Sequence, residues 1–244
     1  MPVSLKDIQD AHVRIADGVV RTPCLEAIPL SELTGAQIFC KLDNQQRTGS
    51  FKERGARNAL LQLTPEQRRR GVVAASAGNH ASALAYHGKL LGIPVTVAMP
   101  ASAPLIKVST CERLGATVLV EGEDFSAARK RADQLVESEG LTYINGYDDP
   151  AIIAGQGTMG IEILEQVPDV EAIIVPIGGA GLIAGIATAV KALRPEVRII
   201  GVESNHTASY AAALRSGHPV TVRSKATLAD GLAVLQVGEN AFYV

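Results

Sequence analysis

An α/β fold made of two open, mostly parallel twisted sheets with helices on both faces is what three observations on this 244-residue chain predict. Short apolar runs alternate with helix-length periodic segments, and strand-helix alternation builds parallel sheets covered on both faces. Hydrophobic residues make up 47% of the sequence, ample for a core at this length. The long uncharged run over residues 172–190 is broken by Gly178, Gly179 and Gly181, so it divides into a buried strand, a tight loop and a buried helix instead of a membrane span.

Taken in order, residues 5–20 carry an amphipathic helical pattern and residues 37–42 a strand. Ser50 and Glu53 form an S-x-x-E capping box, which predicts a helix over 50–63 with Lys52 in its first turn. Thr64-Pro65 opens a short helix that ends in Arg68-Arg69-Arg70, where cations suit the dipole and no ligand need be invoked. Strands at 71–75, 94–98, 117–120 and 141–144 then alternate with helices at 79–91, 105–114 and 126–139. Asn145-Gly146-Tyr147-Asp148-Asp149-Pro150 is turn-rich and marks a crossover, with Asp149 capping a helix over 150–166 and Pro150 at its first position. A strand at 172–177, a helix at 182–193 and a strand at 197–202 complete the pattern. Two units are expected, a small domain over 55–145 and a large one made of 1–54 and 146–244. No heptad or repeat period is present, which excludes solenoids.

Net charge is −2 with acids and bases interspersed, so neither nucleic acid nor an anionic membrane is an expected partner. Cys24, Cys40 and Cys111 are scattered and odd in number, which argues against a disulfide framework or a zinc site and for a reducing, cytoplasmic compartment. The opening Met1-Pro2-Val3-Ser4-Leu5-Lys6-Asp7 has no apolar h-region, so no secretory signal is expected.

Three loops follow strands and open helices, the place where open α/β sheets bind ligands. The first carries Lys52, an amine near the positive end of a helix, where its ammonium form is disfavoured; the competing reading is an ordinary solvated lysine. The second, Ser76-Ala77-Gly78-Asn79-His80-Ala81, offers helix N-terminal N–H groups to a carboxylate or phosphate, or is simply a Ser/Asn-capped turn. The third, Gly178-Gly179-Ala180-Gly181-Leu182, lets the backbone approach an anion. It also fits G-x-G-x-x-A with Glu203 ending the next strand, which alone would indicate an NAD-binding Rossmann domain without lysine chemistry. Pyridoxal phosphate uses all three loops at once: an amine for its aldehyde, a glycine-rich helix start for its phosphate, and a polar loop for its phenolic oxygen and the substrate carboxylate.

The order T-G-S-F-K-x-R-G-A, S-x-G-N-H-A, G-G-x-G-L resembles the fold-type II pyridoxal-phosphate enzymes, in the branch of threonine/serine dehydratases and serine racemases. Lesser matches run along the chain at Arg21-Thr22-Pro23, Lys41-Leu42-Asp43-Asn44, Gly155-Gln156-Gly157-Thr158, Gly201-Val202-Glu203 and Ala229-Asp230-Gly231. The resemblance implies that Lys52 is the Schiff-base lysine and the base that takes the substrate Cα proton, with Phe51 beside the ring. It implies that Asn79 bonds the phenolic oxygen and that Gly178, Gly179, Ala180, Gly181 and Leu182 hold the phosphate. Ser76, Ala77, Gly78, Asn79 and His80 would line the substrate carboxylate. The implied reaction turns L-threonine into 2-oxobutanoate and ammonia, or serine into pyruvate and ammonia, in a homodimer or higher homo-oligomer acting on a small amino acid.

Departures from the family pattern refine this. Racemases carry a second serine where this chain has Ala77, so elimination is expected over racemisation. Gln46-Arg47 and Glu53-Arg54 differ from cysteine-synthase-like relatives, which makes β-replacement the weaker reading. Ala180 replaces a glycine of the usual loop, so it must avoid a positive φ or bear its strain. Ser209 stands where some members have a metal-binding acid, so no metal is expected near Glu203. Relatives continue beyond Ala229-Asp230-Gly231 to bring a Ser, Thr or Cys to the pyridine nitrogen, whereas this sequence ends at Val244; a C-terminal part of the large domain is therefore expected to be missing.

Overall fold

The computed structural model describes residues 3–243; Met1, Pro2 and Val244 lie outside the described residues, and with them part of the readings on both chain ends. Helix α1 (Leu5–Ile15) starts at Ser4, which forms a reciprocal capping box with Asp7, and buries Ile8, Ala11 and Ile15. It stops short of residue 20 because the N–H groups of Gly18 and Val19 both turn back to the Ile15 carbonyl. A pair of short strands follows, β1 (Cys24–Glu26) and β2 (Phe39–Lys41), antiparallel and separated by α2 (Ile28–Thr34). Only β2 is foreshadowed by sequence, since it lies inside the apolar run over 37–42, whereas β1 follows Pro23 with no such run around it.

Helices α3 (Lys52–Leu61) and α4 (Pro65–Arg70) lead into β3 (Val72–Ala75), and Thr64 caps α4 through a capping box with Gln67. Then come α5 (Asn79–Leu91), β4 (Val95–Met99), α6 (Leu105–Arg113), β5 (Thr117–Val120), α7 (Phe125–Glu139) and β6 (Thr142–Tyr143). These strands form one parallel sheet in the order β5-β4-β3-β6. Every residue of β3 is buried, as expected of a central strand covered on both faces.

Helix α8 (Pro150–Gln166), capped by Asp149, returns the chain to β7 (Ala172–Pro176), α9 (Gly181–Leu193) and β8 (Arg198–Val202). The two strands pair in parallel, and α10 (Ser209–Ser216) and the one-turn α11 (Glu239–Phe242) follow. Among the described residues no helix is long and apolar enough to cross a membrane.

Helix α8 is central because its small residues admit other helices backbone to backbone. A Cβ added to Gly155 would lie 2.6 Å from Gly55 Cα, and one added to Gly157 would lie 2.8 Å from the Gly185 carbonyl oxygen. Beneath the start of α3 lies a buried ion network. Arg54, fully buried, donates to both Asp43 oxygens at 2.7 and 2.9 Å and to both Glu162 oxygens at 2.6 and 2.9 Å. Lys41 adds a bond to Glu162 at 2.6 Å, and Thr22 donates to Asp43 at 2.5 Å. Thr22, Lys41, Asp43, Arg54 and Gly155 thus serve architecture directly below the first loop.

Candidate active site

Lys52 is the first residue of α3, but not by way of a capping box. Phe51 occupies the N-cap with helical angles (φ −57, ψ −16), where a side-chain cap needs an extended residue. The Ser50 hydroxyl is buried without a partner, and the Glu53 carboxylate instead accepts from the Thr48 N–H. The Lys52 side chain runs into the interior, donates to the Gly146 carbonyl at 2.5 Å and passes 5.3 Å from the Phe51 ring centre. With no carboxylate beside it to offset lost hydration, burial pushes its pKa down to about 8 from 10.5.

The second loop leaves the C-terminal end of β3. The Ser76 N–H donates to the Ala98 carbonyl at 3.1 Å, and the Ser76 hydroxyl accepts from the Gly78 N–H at 3.3 Å. Ala77 is half-buried at the edge of the small-sheet core. Gly78 is the N-cap of α5 and faces open space, since a Cβ added there meets nothing within 4 Å. Asn79, exposed, begins the helix. His80 is buried with Nε2 3.0 Å from the Ile144 carbonyl; a carbonyl only accepts, so Nε2 carries the hydrogen. Desolvation first, then the nearby Lys52 charge, lowers its pKa to about 3, so the ring is neutral at neutral pH.

The third loop joins β7 to α9. The first intrahelical bond runs from the Ala184 N–H to the Ala180 carbonyl at 2.9 Å, which leaves the N–H groups of Gly181, Leu182 and Ile183 without an intrahelical acceptor. No side chain caps this end. Ala180 is left-handed (φ 72, ψ −9), the sole non-glycine residue with positive φ among the described residues. Ala180→Gly is therefore expected to raise Tm by about 2–4 °C, the equivalent of about 1 kcal/mol of relieved strain. A fall in Tm on calorimetry would mean that the buried methyl contributes more than the backbone loses.

The turn between β6 and α8 brings these loops together, a role the sequence did not reveal. Asn145 Oδ1 accepts from the Tyr147 and Asp148 N–H groups, both at 3.0 Å, and so shapes the turn. Gly146 touches the first two loops: its carbonyl holds Lys52, and a Cβ added to it would lie 2.9 Å from His80 Cγ. Tyr147 touches the third, since a Cβ on Gly179 would fall 2.2 Å from its ring and one on Gly181 2.3 Å from its carbonyl oxygen. The Asn-Gly pair was the one available signal, and it announces a turn without saying what the turn contacts.

The arrangement pairs a desolvated amine with unused N–H groups at a glycine-lined helix start, a donor set suited to a molecule bearing both an aldehyde and a phosphate. The dinucleotide alternative loses its acid. Both Glu203 oxygens accept from the Tyr210 and Ala211 N–H groups, at 2.7 and 2.8 Å, so this carboxylate caps α10 and is not presented to a ribose. Among the described residues no group of three or more His, Cys, Asp or Glu side chains could hold a metal ion.

Comparison with known proteins points to the same cofactor. The family model for pyridoxal-phosphate dependent enzymes matches residues 15–244. The L-threonine ammonia-lyase of Thermotoga maritima is 46% identical over 98% of this chain, which spans 60% of that protein's length. A threonine deaminase isoform of Solanum lycopersicum superposes with a TM-score of 0.93 at 39% identity, covering 99% of this chain and 69% of the other. Maize serine racemase superposes with a TM-score of 0.96 at 35% identity, covering 100% of this chain and 74% of the other.

Proposed function

Because this chain belongs to the pyridoxal-phosphate dependent enzymes, we propose that it deaminates L-threonine, and serine, by β-elimination, giving 2-oxobutanoate or pyruvate and ammonia. The observation that carries the proposal is the buried Lys52 amine, its pKa lowered to about 8, held by the Gly146 carbonyl in the turn whose Tyr147 touches the glycine loop. At neutral pH far more of such an amine is neutral than at the ordinary value of 10.5. When bound, the cofactor supplies an electron sink for the charge left at the substrate Cα.

The chain's own residues do the rest. Lys52 Nζ would hold the cofactor's aldehyde carbon and take the Cα proton, with Phe51 packed beside the ring. The Asn79 amide would donate to the phenolic oxygen, and the N–H groups of Gly178, Gly179, Ala180, Gly181 and Leu182 would take the phosphate. Ser76, Ala77, Gly78, Asn79 and His80 would receive the substrate carboxylate. A neutral His80 adds no charge to compete with the Lys52 amine. Ala77 places no hydroxyl on the second face of Cα, so the substrate loses its β-hydroxyl instead of regaining a proton with inverted hand.

Incubation with L-threonine and L-serine, assayed in parallel for keto acid and D-isomer, tests this. Keto acid is expected to dominate; D-serine forming faster than pyruvate would favour the racemase reading and refute the use made of Ala77. Under the same proposal residues 55–145 form a small domain and residues 1–54 with 146–244 the large one, in a cytoplasmic homo-oligomer. Three free cysteines fit that compartment, and sedimentation of the holoprotein reads the assembly directly.

A further inference from the structure

Next to Lys52 lies a titratable pair that the proposed chemistry does not use. Glu53 is fully buried, and one of its oxygens accepts from the Thr48 N–H. The other stands 3.3 Å from Nε2 of His87, itself fully buried on α5. That oxygen and both His87 nitrogens are without a hydrogen-bond partner, so the 3.3 Å approach is a contact one hydrogen would complete. The cations flanking Glu53 in sequence are committed elsewhere, Lys52 to the Gly146 carbonyl and Arg54 to Asp43 and Glu162. Tyr86 meets the imidazole edge-on with ring centres 5.0 Å apart and offers it no acceptor there. A buried carboxylate and a buried imidazole each carry a large cost when unpartnered, and a hydrogen between Nε2 and the carboxylate oxygen lowers both, leaving only His87 Nδ1 unpartnered.

The pair also borders the segment that carries Lys52. Gly49 is left-handed (φ 80), a backbone swivel just before α3, and Thr48 on its far side is the residue that Glu53 holds. His87 belongs to the helix that starts with Asn79 and His80, and His80 lies seven residues before it on the same face. We infer that Glu53 and His87 share one hydrogen and act as a positioning pair for Lys52: His87 holds Glu53, Glu53 holds the Thr48 N–H, and the segment carrying Lys52 is locked against the helix carrying Asn79. The inference rests on the lysine chemistry proposed above. The pair is not among the residues proposed to hold substrate or cofactor.

The test compares Glu53→Leu and His87→Leu, which remove the contact, with Glu53→Gln and His87→Gln, which keep a hydrogen-bonding group at each place. In nitrogen-15 spectra of the cofactor-free chain, a slowly exchanging His87 Nε2–H signal is expected and is lost in Glu53→Leu. In the holoprotein both leucine variants are expected to lose about tenfold or more in kcat with KM within about twofold, since misplacement of a reacting group is costly. The glutamine variants are expected within about threefold of wild type, and the double leucine variant no worse than either single one. A His87 signal that survives in Glu53→Leu, unchanged kcat in a folded leucine variant, or glutamine variants as impaired as leucine ones would overturn the pairing. If Glu53→Leu does not fold, His87→Leu and the two glutamine variants decide the matter. Should borohydride trap no cofactor on Lys52, the lysine reading fails, while the spectra still judge the hydrogen bond independently.

Discussion

Lys52→Ala is expected to lower kcat by at least about a thousandfold while leaving the cofactor-free chain at least as stable as wild type at neutral pH. The activity loss combines removal of a covalent anchor with removal of a general base, and proton transfer alone contributes about a hundredfold to ten-thousandfold. Stability moves otherwise because burial holds the amine's pKa at about 8, below its ordinary 10.5. A lysine with a depressed folded pKa charges at a cost whenever pH lies below that value, so the folded state gains as pH rises from about 8 toward 10.5. Alanine removes that cost. Borohydride reduction of wild type should place the cofactor's mass on the Lys52 peptide, and an unlabelled peptide from cofactor-saturated protein would sink the assignment. A variant that retains more than about a tenth of wild-type turnover would do the same.

Arg54→Leu is expected to destabilise the fold by about 3–5 kcal/mol, because it leaves buried Asp43 without its guanidinium and buried Glu162 with Lys41 alone. Lysine at this position should recover little, since one ammonium cannot match the paired bonds that the guanidinium makes to Asp43 and Glu162. The pH dependence carries a signature. Burial works to raise both carboxyls, yet hydrogen bonds and charge from Arg54 outweigh it and hold both below their ordinary values of 3.8 and 4.5. Groups with depressed folded pKa contribute stability above those ordinary values and lose it as pH falls through the folded ones. Wild type should therefore weaken as pH drops below about 4, the region of ordinary carboxylates. In the variant burial acts with less opposition, so the gap to wild type should narrow on acidification. A thermal-denaturation series from neutral to acid pH reads both effects, and a constant gap would show that Arg54 contributes mainly packing.

Alternation and glycine placement made the fold legible, because the runs at 72–75 and 95–99 are buried apolar strands bounded by turn residues, whereas 172–176, expected as a buried strand, buries only Ile173 and Val175 and leaves Ile174 and Pro176 exposed. Asp149 and Pro150 announced the start of α8 for the same local reason. Local signals failed where a competing partner intervened. Ser50 and Glu53 have the spacing of a capping box, but the Thr48 N–H and His87 claim the carboxylate from outside that window. The site was legible as three loops because each is a contiguous motif. What joins them was not, since Gly146 and Tyr147 act through contacts with residues far along the chain, and no spacing rule spans such distances. The family motifs were also more mixed in purpose than their order suggests: Lys52 reaches toward the site, while Arg54 in the same motif goes to the ion network.

Tyr147 gives the molecule an optical handle. The chain contains no tryptophan and only five tyrosines, so its intrinsic emission is tyrosine emission. One of those rings lies on the backbone of Gly179. Any shift of the loop on taking up an anion changes the surroundings of that ring first, which makes the protein's own near-ultraviolet fluorescence a label-free gauge of loop occupancy.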